Sequence, residues 1–174
     1  MEKFEVKRAT ANDIEALQAV GRQTFFETFA SENTEADMQK YLVEGFAQEK
    51  LVAELSNPNS EFYFVLLDGS VIGYLKLNYG AAQTEIKDSE ALEIERIYVL
   101  KDFHGKKVGQ LLYEKAMQVA QRLNVRYVWL GVWEKNPRAI SFYRKNGFVE
   151  FDKHIFRLGN DEQTDIMMKR PLKE

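Results

Sequence analysis

Apolar residues recur along the chain with two different periods, and each change of period marks the end of a predicted element. Alternating or short continuous apolar runs predict seven strands, at residues 4–8, 61–67, 71–79, 92–99, 127–132, 148–154 and 165–170. Apolar residues spaced every three or four positions predict five helices, at residues 10–29, 34–46, 48–55, 108–123 and 136–146. The polar residues 80–91 predict a loop.

Local signals define several of these boundaries. Thr10 and Thr34 are each followed three residues later by an aspartate, a capping pattern that starts a helix. Asp68-Gly69 lies between two strand-like runs and predicts a tight hairpin.

The order of these elements predicts an α+β fold. The strand at 92–99, the helix at 108–123 and the strand at 127–132 form a crossover, so we expect these two strands to be parallel. The remaining strands are expected to pair antiparallel, with the last strand at an edge of the sheet. No repeat or Pro/Gly-rich linker interrupts the chain, so residues 1–174 are predicted to form one domain.

The composition narrows the possible chemistry. The chain contains no cysteine and only two histidines, His104 and His154. This excludes disulfides and a cysteine acyl-enzyme, and it speaks against a metal site or a Ser/His/Asp triad. No apolar run is long enough to span a membrane, and the first residues lack a secretory leader pattern. A chain without cysteine fits the reducing cytoplasm, where we expect the protein.

The net charge of −3 conceals two regions of opposite sign. Residues 1–100 hold 9 Lys/Arg against 18 Asp/Glu, whereas residues 101–146 hold 10 Lys/Arg against 3 Asp/Glu. Such blocks can be solvated surface, but a basic block also suits an anionic ligand. The acidic remainder argues against nucleic acid as a partner and favours a cationic second substrate.

The basic block contains a short loop between a strand and a helix, His104-Gly-Lys-Lys-Val-Gly109. A helix N-terminus presents unpaired N–H groups and partial positive charge, which suit a pyrophosphate, and glycine lets the backbone approach closely. An ordinary strand–helix turn can have the same composition. The loop matches neither a dinucleotide-binding fingerprint nor a P-loop.

A second pattern follows, Asn136-x-x-Ala139-x-x-Phe142-Tyr143-x-x-x-Gly147-Phe148. An asparagine N-cap, a proline at the first helical position and a glycine past the last turn define a short helix. Its tyrosine can act as an acid, although a helix that only packs its aromatic residues into the core would look the same. Together, the loop and this helix indicate acyl transfer from a phosphate-bearing thioester.

With these two patterns the chain closely resembles the GNAT superfamily, the GCN5-related N-acetyltransferases. The loop of that family follows Q/R-x-x-G-x-G/A. Here His104 stands in the Gln/Arg position, Lys107 stands in the first glycine position, and Gly109 matches. The resemblance covers most of the chain, from the first strand through Asp165-Ile-Met-Met-Lys169.

The resemblance implies an acyl-CoA N-acyltransferase fold, in which the parallel fourth and fifth strands splay apart to admit the pantetheine arm of acetyl-CoA. Main-chain groups of Ile97, Tyr98 and Val99 would pair with that arm, and Asn136 and Tyr143 would lie near its sulfur. The pyrophosphate would be held by the loop and the first helical turn: His104, Gly105, Lys106, Lys107, Val108, Gly109 and Gln110.

Within the superfamily the chain looks like the PaiA-type bacterial spermidine/spermine acetyltransferases. The stretches that carry this likeness are Leu92-Glu-Ile-Glu-Arg-Ile-Tyr98, Trp129-Leu-Gly-Val-Trp-Glu-Lys-Asn136 and Glu162-Gln-Thr-Asp165. It implies a small cationic amine as the acceptor, foremost a polyamine, and it leaves a homodimer open as the assembly.

Acetyl transfer to an amine requires a neutral nucleophile, and an alkylamine with a pKa near ~10.4 is almost fully protonated at neutral pH. Glu95 is the preferred base because it lies on the strand that enters the expected cleft, with Glu93 on the same face and Glu27 as alternatives. Tyr143 would protonate the leaving thiolate, and backbone N–H near Val99 would stabilise the oxyanion. Without a cysteine, direct attack in a ternary complex is expected.

Carboxylates beside aromatic residues would attract and orient a polyamine, with Glu27, Glu93 and Trp133 contacting it. The plain alternative is that the aromatic residues form the core and that Glu93 and Glu95 are solvated or pair with Arg96. A protein N-terminus, a lysine or an aminoglycoside-like amine would also fit as acceptor. From a different class, the domain could be a non-catalytic acyl-CoA-binding module.

Overall fold

In the computed structural model, which describes residues 3–172, seven strands form one mixed sheet. They are β1 (Phe4–Arg8), β2 (Ser60–Leu67), β3 (Ser70–Tyr79), β4 (Ala91–Val99), β5 (Tyr127–Trp133), β6 (Val149–Leu158) and β7 (Asp161–Pro171). Their order across the sheet is β1-β2-β3-β4-β5-β7-β6, and among these strands only β4 and β5 pair in parallel. The predicted fold class and the predicted parallel pair are confirmed.

Five α-helices within residues 3–172 flank the sheet: α1 (Ile14–Phe29), α2 (Glu35–Glu44), α3 (Gln48–Ser56), α4 (Val108–Leu123) and α5 (Pro137–Lys145). Apolar residues of α1, α2 and α3 form one core with the sheet, and those of α4 and α5 form a second core. The amphipathic pattern of each helix therefore divides the helices between two apolar cores. In the same part of the chain, no helix is both long and apolar enough to cross a membrane.

The predicted local signals are found where the sequence placed them. The Thr10 N–H donates to the Asp13 carboxylate at 2.8 Å, and the Thr10 hydroxyl accepts from the backbone in return, which completes the capping box before α1. Asp68 and Gly69 both have positive φ, as a two-residue hairpin turn requires. The second helix ends at Glu44 rather than at Phe46, because Phe46 leaves the helix to pack in the core.

The position of the last strand was predicted wrongly. β7 lies between β5 and β6, so β6 forms this edge of the sheet. The reason is burial: the consecutive residues Met167 and Met168 are buried on opposite faces of β7, whereas Val149 and Ile155 on β6 are 56% and 60% exposed. A strand that is apolar on both faces belongs inside a sheet.

β4 and β5 are joined along only part of their length. Their parallel pairing runs from Ala91 with Tyr127 to Ile94 with Leu130 and then stops. Beyond that point β4 remains paired with β3, and β5 remains paired with β7, so each strand follows its other neighbour. The predicted splay is present, and it opens a gap inside a continuous sheet.

The strand order makes a testable prediction about stability. Met168→Ala should lower the free energy of unfolding by about 2–5 kcal/mol, because it leaves a cavity at a fully buried position. Val149→Ala on the edge strand is the matched control and should cost less than about 1 kcal/mol. Denaturant unfolding of the three proteins measures both values. Equal losses at the two positions would contradict the strand order.

Candidate active site

A cleft of 1020 Å³ occupies the gap between the diverging ends of β4 and β5. One wall consists of the loop before α4, the first turn of α4 and parts of α5, and the other wall comes from α1, α2 and α3. The cleft therefore connects the two sides of the sheet. A volume of this size is at the upper end of the range for small-molecule and cofactor sites.

The backbone of β4 turns polar groups towards this gap. Leu100 N donates to Ile72 O at 2.9 Å, and hydrogen-bonded pairs alternate along an antiparallel ladder. The main-chain groups of Ile97 and Val99 therefore face the gap, whereas those of Tyr98 face β3. This geometry suits the predicted pairing by Ile97 and Val99, but Tyr98 can contribute only its side chain.

The predicted phosphate loop adopts the conformation that an anion site needs. Gly105 and Lys107 have φ values of +82° and +64°, and Lys107 stands just before α4 as its N-cap residue. Within residues 3–172 no side chain caps α4, and its first turn contains no acidic residue. Its unpaired N–H groups, on Val108, Gly109 and Gln110, therefore stay available for a phosphate group.

Lys107 takes over the backbone role of the glycine that it replaces. Its left-handed conformation costs a residue with a side chain about 1 kcal/mol, so the loop keeps its shape at some cost in stability. Lys107 and Arg138 both line the cleft and bring positive charge to the loop. His104 holds the loop to β4, because its Nε2 lies 2.8 Å from Val99 O. Lys106 lies against the ring of Phe103 and is not part of the cleft wall among the described residues.

Tyr143 and Asn136, which are expected near the sulfur of the cofactor, both line the cleft. Asn136 accepts a hydrogen bond from Ala139 N at 3.2 Å, which caps α5. The ring of Tyr143 packs against Phe142 and Phe148, and its hydroxyl makes no hydrogen bond to another residue in 3–172. Burial raises the pKa of Tyr143, so the hydroxyl keeps its proton at neutral pH and can donate it.

Glu95 is part of a buried cluster of four charged side chains. A β-bulge places it between the β3–β4 pairs Lys76–Arg96 and Leu77–Ile94. Its carboxylate pairs with Lys76 at 2.7 Å and with Arg96 at 3.2 Å. Glu54 completes the cluster by holding the Arg96 guanidinium with two bonds of 3.0 and 3.1 Å.

This cluster makes Glu95 a poor proton acceptor. Burial alone would raise the pKa of Glu95, but the positive charges of Arg96 and Lys76 outweigh burial and lower it to about 2. A base should have a pKa near the working pH. The alternative interpretation, an ion pair with Arg96, is what the chain forms, and this pairing disfavours Glu95 as the base; its role as the base stays a prediction from the sequence.

Glu93 and Glu27, which the sequence predicts to contact the substrate, make hydrogen bonds within the protein, and Glu27 also lines the cleft. Glu93 is buried and accepts hydrogen bonds from Asn78 and from both the N–H and the hydroxyl of Thr84, so it fastens the 80–90 loop to β4 away from the cleft. Glu27 lies on the cleft rim, where it accepts from Lys101 N at 2.9 Å and stabilises the turn before the phosphate loop. Both carboxylates therefore have structural tasks.

The side of the cleft away from the phosphate loop is aromatic. Phe25 stacks on Tyr41 with ring centroids 4.1 Å apart, and Phe29 packs on Trp133 at 4.6 Å. These residues belong to the core and also line the cleft, so core packing and a position beside the substrate are compatible. Trp133 is part of this wall, and its Nε1 donates to Gln163 at 2.7 Å.

The charge separation expected along the cleft is weaker than predicted. Only three acidic residues line it among the described residues: Glu27, Glu95 and Asp165. Several other acids of the first hundred residues pair with side chains: Glu32 with Lys135, Glu85 with His154, Asp88 with Tyr127, and Glu90 with Arg126. The acidic character of this half is therefore spread over the surface.

Asp165 is a site residue that the sequence patterns did not single out. It lies on β7 opposite Trp133 of β5, on the cleft wall. The pKa of Asp165 is raised to about 6, mainly by burial; His154 lowers it and Glu85 raises it, each by less than burial does. A signal was present in the sequence, because Asp165 is a lone acid next to the apolar run Ile166-Met167-Met168.

Comparison with known proteins supports the same kind of site. The model of the acetyltransferase (GNAT) family matches residues 22–148. An uncharacterised N-acetyltransferase in the pepI 3′ region of Lactobacillus delbrueckii subsp. lactis is 40% identical over 99% of both chains. A spermidine N(1)-acetyltransferase of Thermoplasma acidophilum is 27% identical over 83% of this chain and 88% of that protein. The crystal structure of the PaiA N-acetyltransferase of Thermoplasma acidophilum with coenzyme A superposes with a TM-score of 0.80, at 25% identity, over 97% of this chain and 99% of that one.

The buried charge cluster makes a prediction about stability and pH. Glu95→Gln should lower the free energy of unfolding by about 3 kcal/mol at pH 7, because Lys76 and Arg96 lose a buried partner. The pKa of Glu95 falls from its ordinary value of 4.5 to about 2 on folding, so its contribution is present above 4.5 and is lost as the pH drops towards 2. The gap between wild type and variant should therefore close over that interval.

Denaturant unfolding between pH 7 and pH 2 measures this gap. Glu114→Gln, which changes an exposed acid on α4, is the matched control and should follow the wild type throughout. A constant gap at every pH would show that Glu95 is not ionised within the cluster.

Proposed function

Because the chain belongs to the GNAT family of acetyltransferases, and is therefore an acetyl-CoA-dependent N-acetyltransferase, we propose that its acceptor is a small primary amine, foremost a polyamine such as spermidine or spermine. The observation that carries the proposal is the cleft, which joins an anion-binding helix end to an aromatic chamber containing carboxylates. The relative named spermidine N(1)-acetyltransferase supports the choice of a polyamine.

The residues on the wall of the cleft fit acetyl-CoA. The unpaired N–H groups at the start of α4, with Lys107 and Arg138 nearby, would bind the pyrophosphate. The backbone of Ile97 and Val99 would bind the pantetheine amides in the manner of an added strand. Acetyl-CoA supplies the activated acetyl thioester, and the protein positions the two substrates and transfers the protons.

Tyr143 is proposed as the acid that protonates the departing thiolate. Its hydroxyl lies on the cleft wall, keeps its proton because burial raises its pKa, and has no competing partner within residues 3–172. Val99 N–H faces the gap and is proposed to stabilise the oxyanion that forms on the acetyl carbonyl. With both groups fixed by the sheet and by α5, direct attack by the amine needs no covalent enzyme intermediate.

The aromatic side of the cleft suits an ammonium group, but it does not favour an acceptor with many positive charges. Phe25, Phe29 and Tyr41 offer ring faces and edges, which attract a cation together with the nearby carboxylates. Lys50 and Lys135 also line the cleft. Their positive charge favours a second candidate, an acceptor with one amine and a neutral or anionic neighbour, such as a peptide N-terminus. A cytoplasmic location and a homodimer stay predictions from the sequence.

An acceptor screen separates these candidates. Thiol release from acetyl-CoA should be measured side by side with spermidine, spermine, short diamines, aminoglycosides and peptides with free N-termini. We expect the highest kcat/KM with a polyamine. A peptide that exceeds every polyamine would contradict the polyamine proposal, and no turnover with any amine would contradict a small primary amine as the acceptor.

The role of Tyr143 is tested by removing only its hydroxyl. Tyr143→Phe should lower kcat by about 10²–10⁴-fold, the usual contribution of a positioned acid, while the Kd for acetyl-CoA changes little. Turnover assays and calorimetric titration measure the two quantities. Tyr127→Phe is the matched control, since its hydroxyl contacts Asp88 away from the cleft. Undiminished turnover of Tyr143→Phe would remove this residue from the acid role.

A further inference from the structure

The ionised Glu95 leaves the reaction without a strong base, although an ammonium acceptor must lose a proton before it attacks. We propose that Asp165 takes this proton from the acceptor amine. The proposal rests on the proposed acetylation of a primary amine and assigns one further catalytic residue to it.

The position of Asp165 carries the proposal. Parallel pairing ends at Ile94 and Leu130, so the next residue of β5, Gly131, lies where the gap begins. A Cβ atom on Gly131 would lie 3.3 Å from Asp165 Oδ2, which places the carboxylate directly over this glycine. Gly131 therefore leaves the space through which Asp165 reaches the point where the strands separate.

The carboxylate of Asp165 is available, in contrast to the other acids of the cleft. It makes no hydrogen bond or ion pair with any other residue in 3–172, and it is only partly buried, on the cleft wall. Glu95 is held by Lys76 and Arg96, and Glu27 is held by Lys101 N. A group without a protein partner at a cleft wall can accept a bond from a substrate.

The groups that face Asp165 come from three elements. His154 lies opposite it on β6, Glu85 pairs with His154 from the loop before β4, and Tyr98 of β4 interacts electrostatically with it. Burial is the main cause that raises the pKa of Asp165 to about 6. At pH 7 the carboxylate is then mostly ionised, and it is a far stronger base than Glu95.

The geometry also places the proposed acid and base on one site. Tyr143 and Asp165 both line the cleft between the diverging ends of β4 and β5. In the reaction, the N–H proton of the ammonium group moves to Asp165, and the freed electron pair forms the C–N bond to the acetyl carbon. The C–S bond breaks and the sulfur takes the proton of Tyr143. The second proton that the nitrogen loses on becoming an amide restores the hydroxyl of Tyr143, and the proton on Asp165 passes to solvent.

The pH dependence of kcat/KM tests this role. In the wild type, kcat/KM should fall as the pH drops through about 6, because Asp165 must be ionised to accept the proton. Asp165→Asn should lose this inflection and lower kcat/KM at pH 7 by about 10²–10⁴-fold. The loss should shrink as the pH approaches the pKa of the amine, near ~10.4, because the amine then reaches the enzyme already neutral.

A second acceptor separates a chemical role from a structural one. The best amine of the screen and a fluorinated analogue of lower pKa should be compared, since the analogue needs less help to lose its proton. We expect Asp165→Asn to penalise the analogue much less. A penalty that is equal for both amines and constant with pH would assign Asp165 a structural role and overturn the proposal, as would wild-type activity of the variant.

A readout without turnover accompanies these rates. In protein labelled with ¹³C-aspartate, one carboxyl resonance should titrate near pH 6 and should be missing in Asp165→Asn. Asp152→Asn, at an exposed position on β6, is the matched control and should keep both this resonance and the wild-type rate. Absence of such a resonance overturns the proposal even if the enzyme is active, whereas failure of every amine in the screen overturns the proposed function itself.

Discussion

The interruption of hydrogen bonding between β4 and β5 is the constraint on which the site depends. Two parallel strands side by side would normally pair along their whole length, but here pairing ends at Ile94 and Leu130. Each strand keeps a full ladder with its other neighbour, β3 or β7, so the sheet stays intact around the opening. The result is a set of unpaired backbone groups inside the protein, a costly arrangement unless a ligand or water satisfies them.

The same opening explains why the charges are placed as they are. On the β3 side, a cluster of two acids and two bases holds the bulge at Glu95 and stabilises the diverging strand. The carboxylate of Glu95 is therefore already paired with cations. On the β7 side, Asp165 has no such partner within the described residues and keeps a raised pKa. Two carboxylates at one gap therefore have different tasks, because only one of them lies among cations.

The sequence predicted those features that depend on local patterns. Helix starts, the hairpin at Asp68-Gly69 and the crossover from β4 to β5 all follow from residues within a few positions of each other, and the structure confirms them. The loop before α4 was also identified from neighbouring residues, and its phosphate-binding role stays a prediction. It could not be known from the pattern that Lys107 would adopt a left-handed conformation, since that depends on how the loop meets α4.

Features that depend on distant partners were predicted less well. The place of β7 in the sheet follows from burial on both faces, and its two consecutive methionines were the overlooked signal. The ion pairs of Glu95 involve Lys76 from another strand, and the network also includes Glu54 from a helix, so spacing along β4 could not reveal them. Asp165 acquires its environment partly from β6, the other strand of its hairpin, and partly from β5, which precedes it by a helix and a strand in the sequence.

The most direct measurement is hydrogen exchange at the Ile97 and Val99 amides, with and without acetyl-CoA. Both N–H groups face the gap, so we expect them to exchange quickly in the free protein and at least about 100-fold more slowly once acetyl-CoA pairs with them. The Leu75 and Leu77 amides inside the β2–β3–β4 sheet should change little and serve as the internal reference. Slow exchange at Ile97 and Val99 in the free protein, or no change on binding, would contradict an open gap that receives the cofactor.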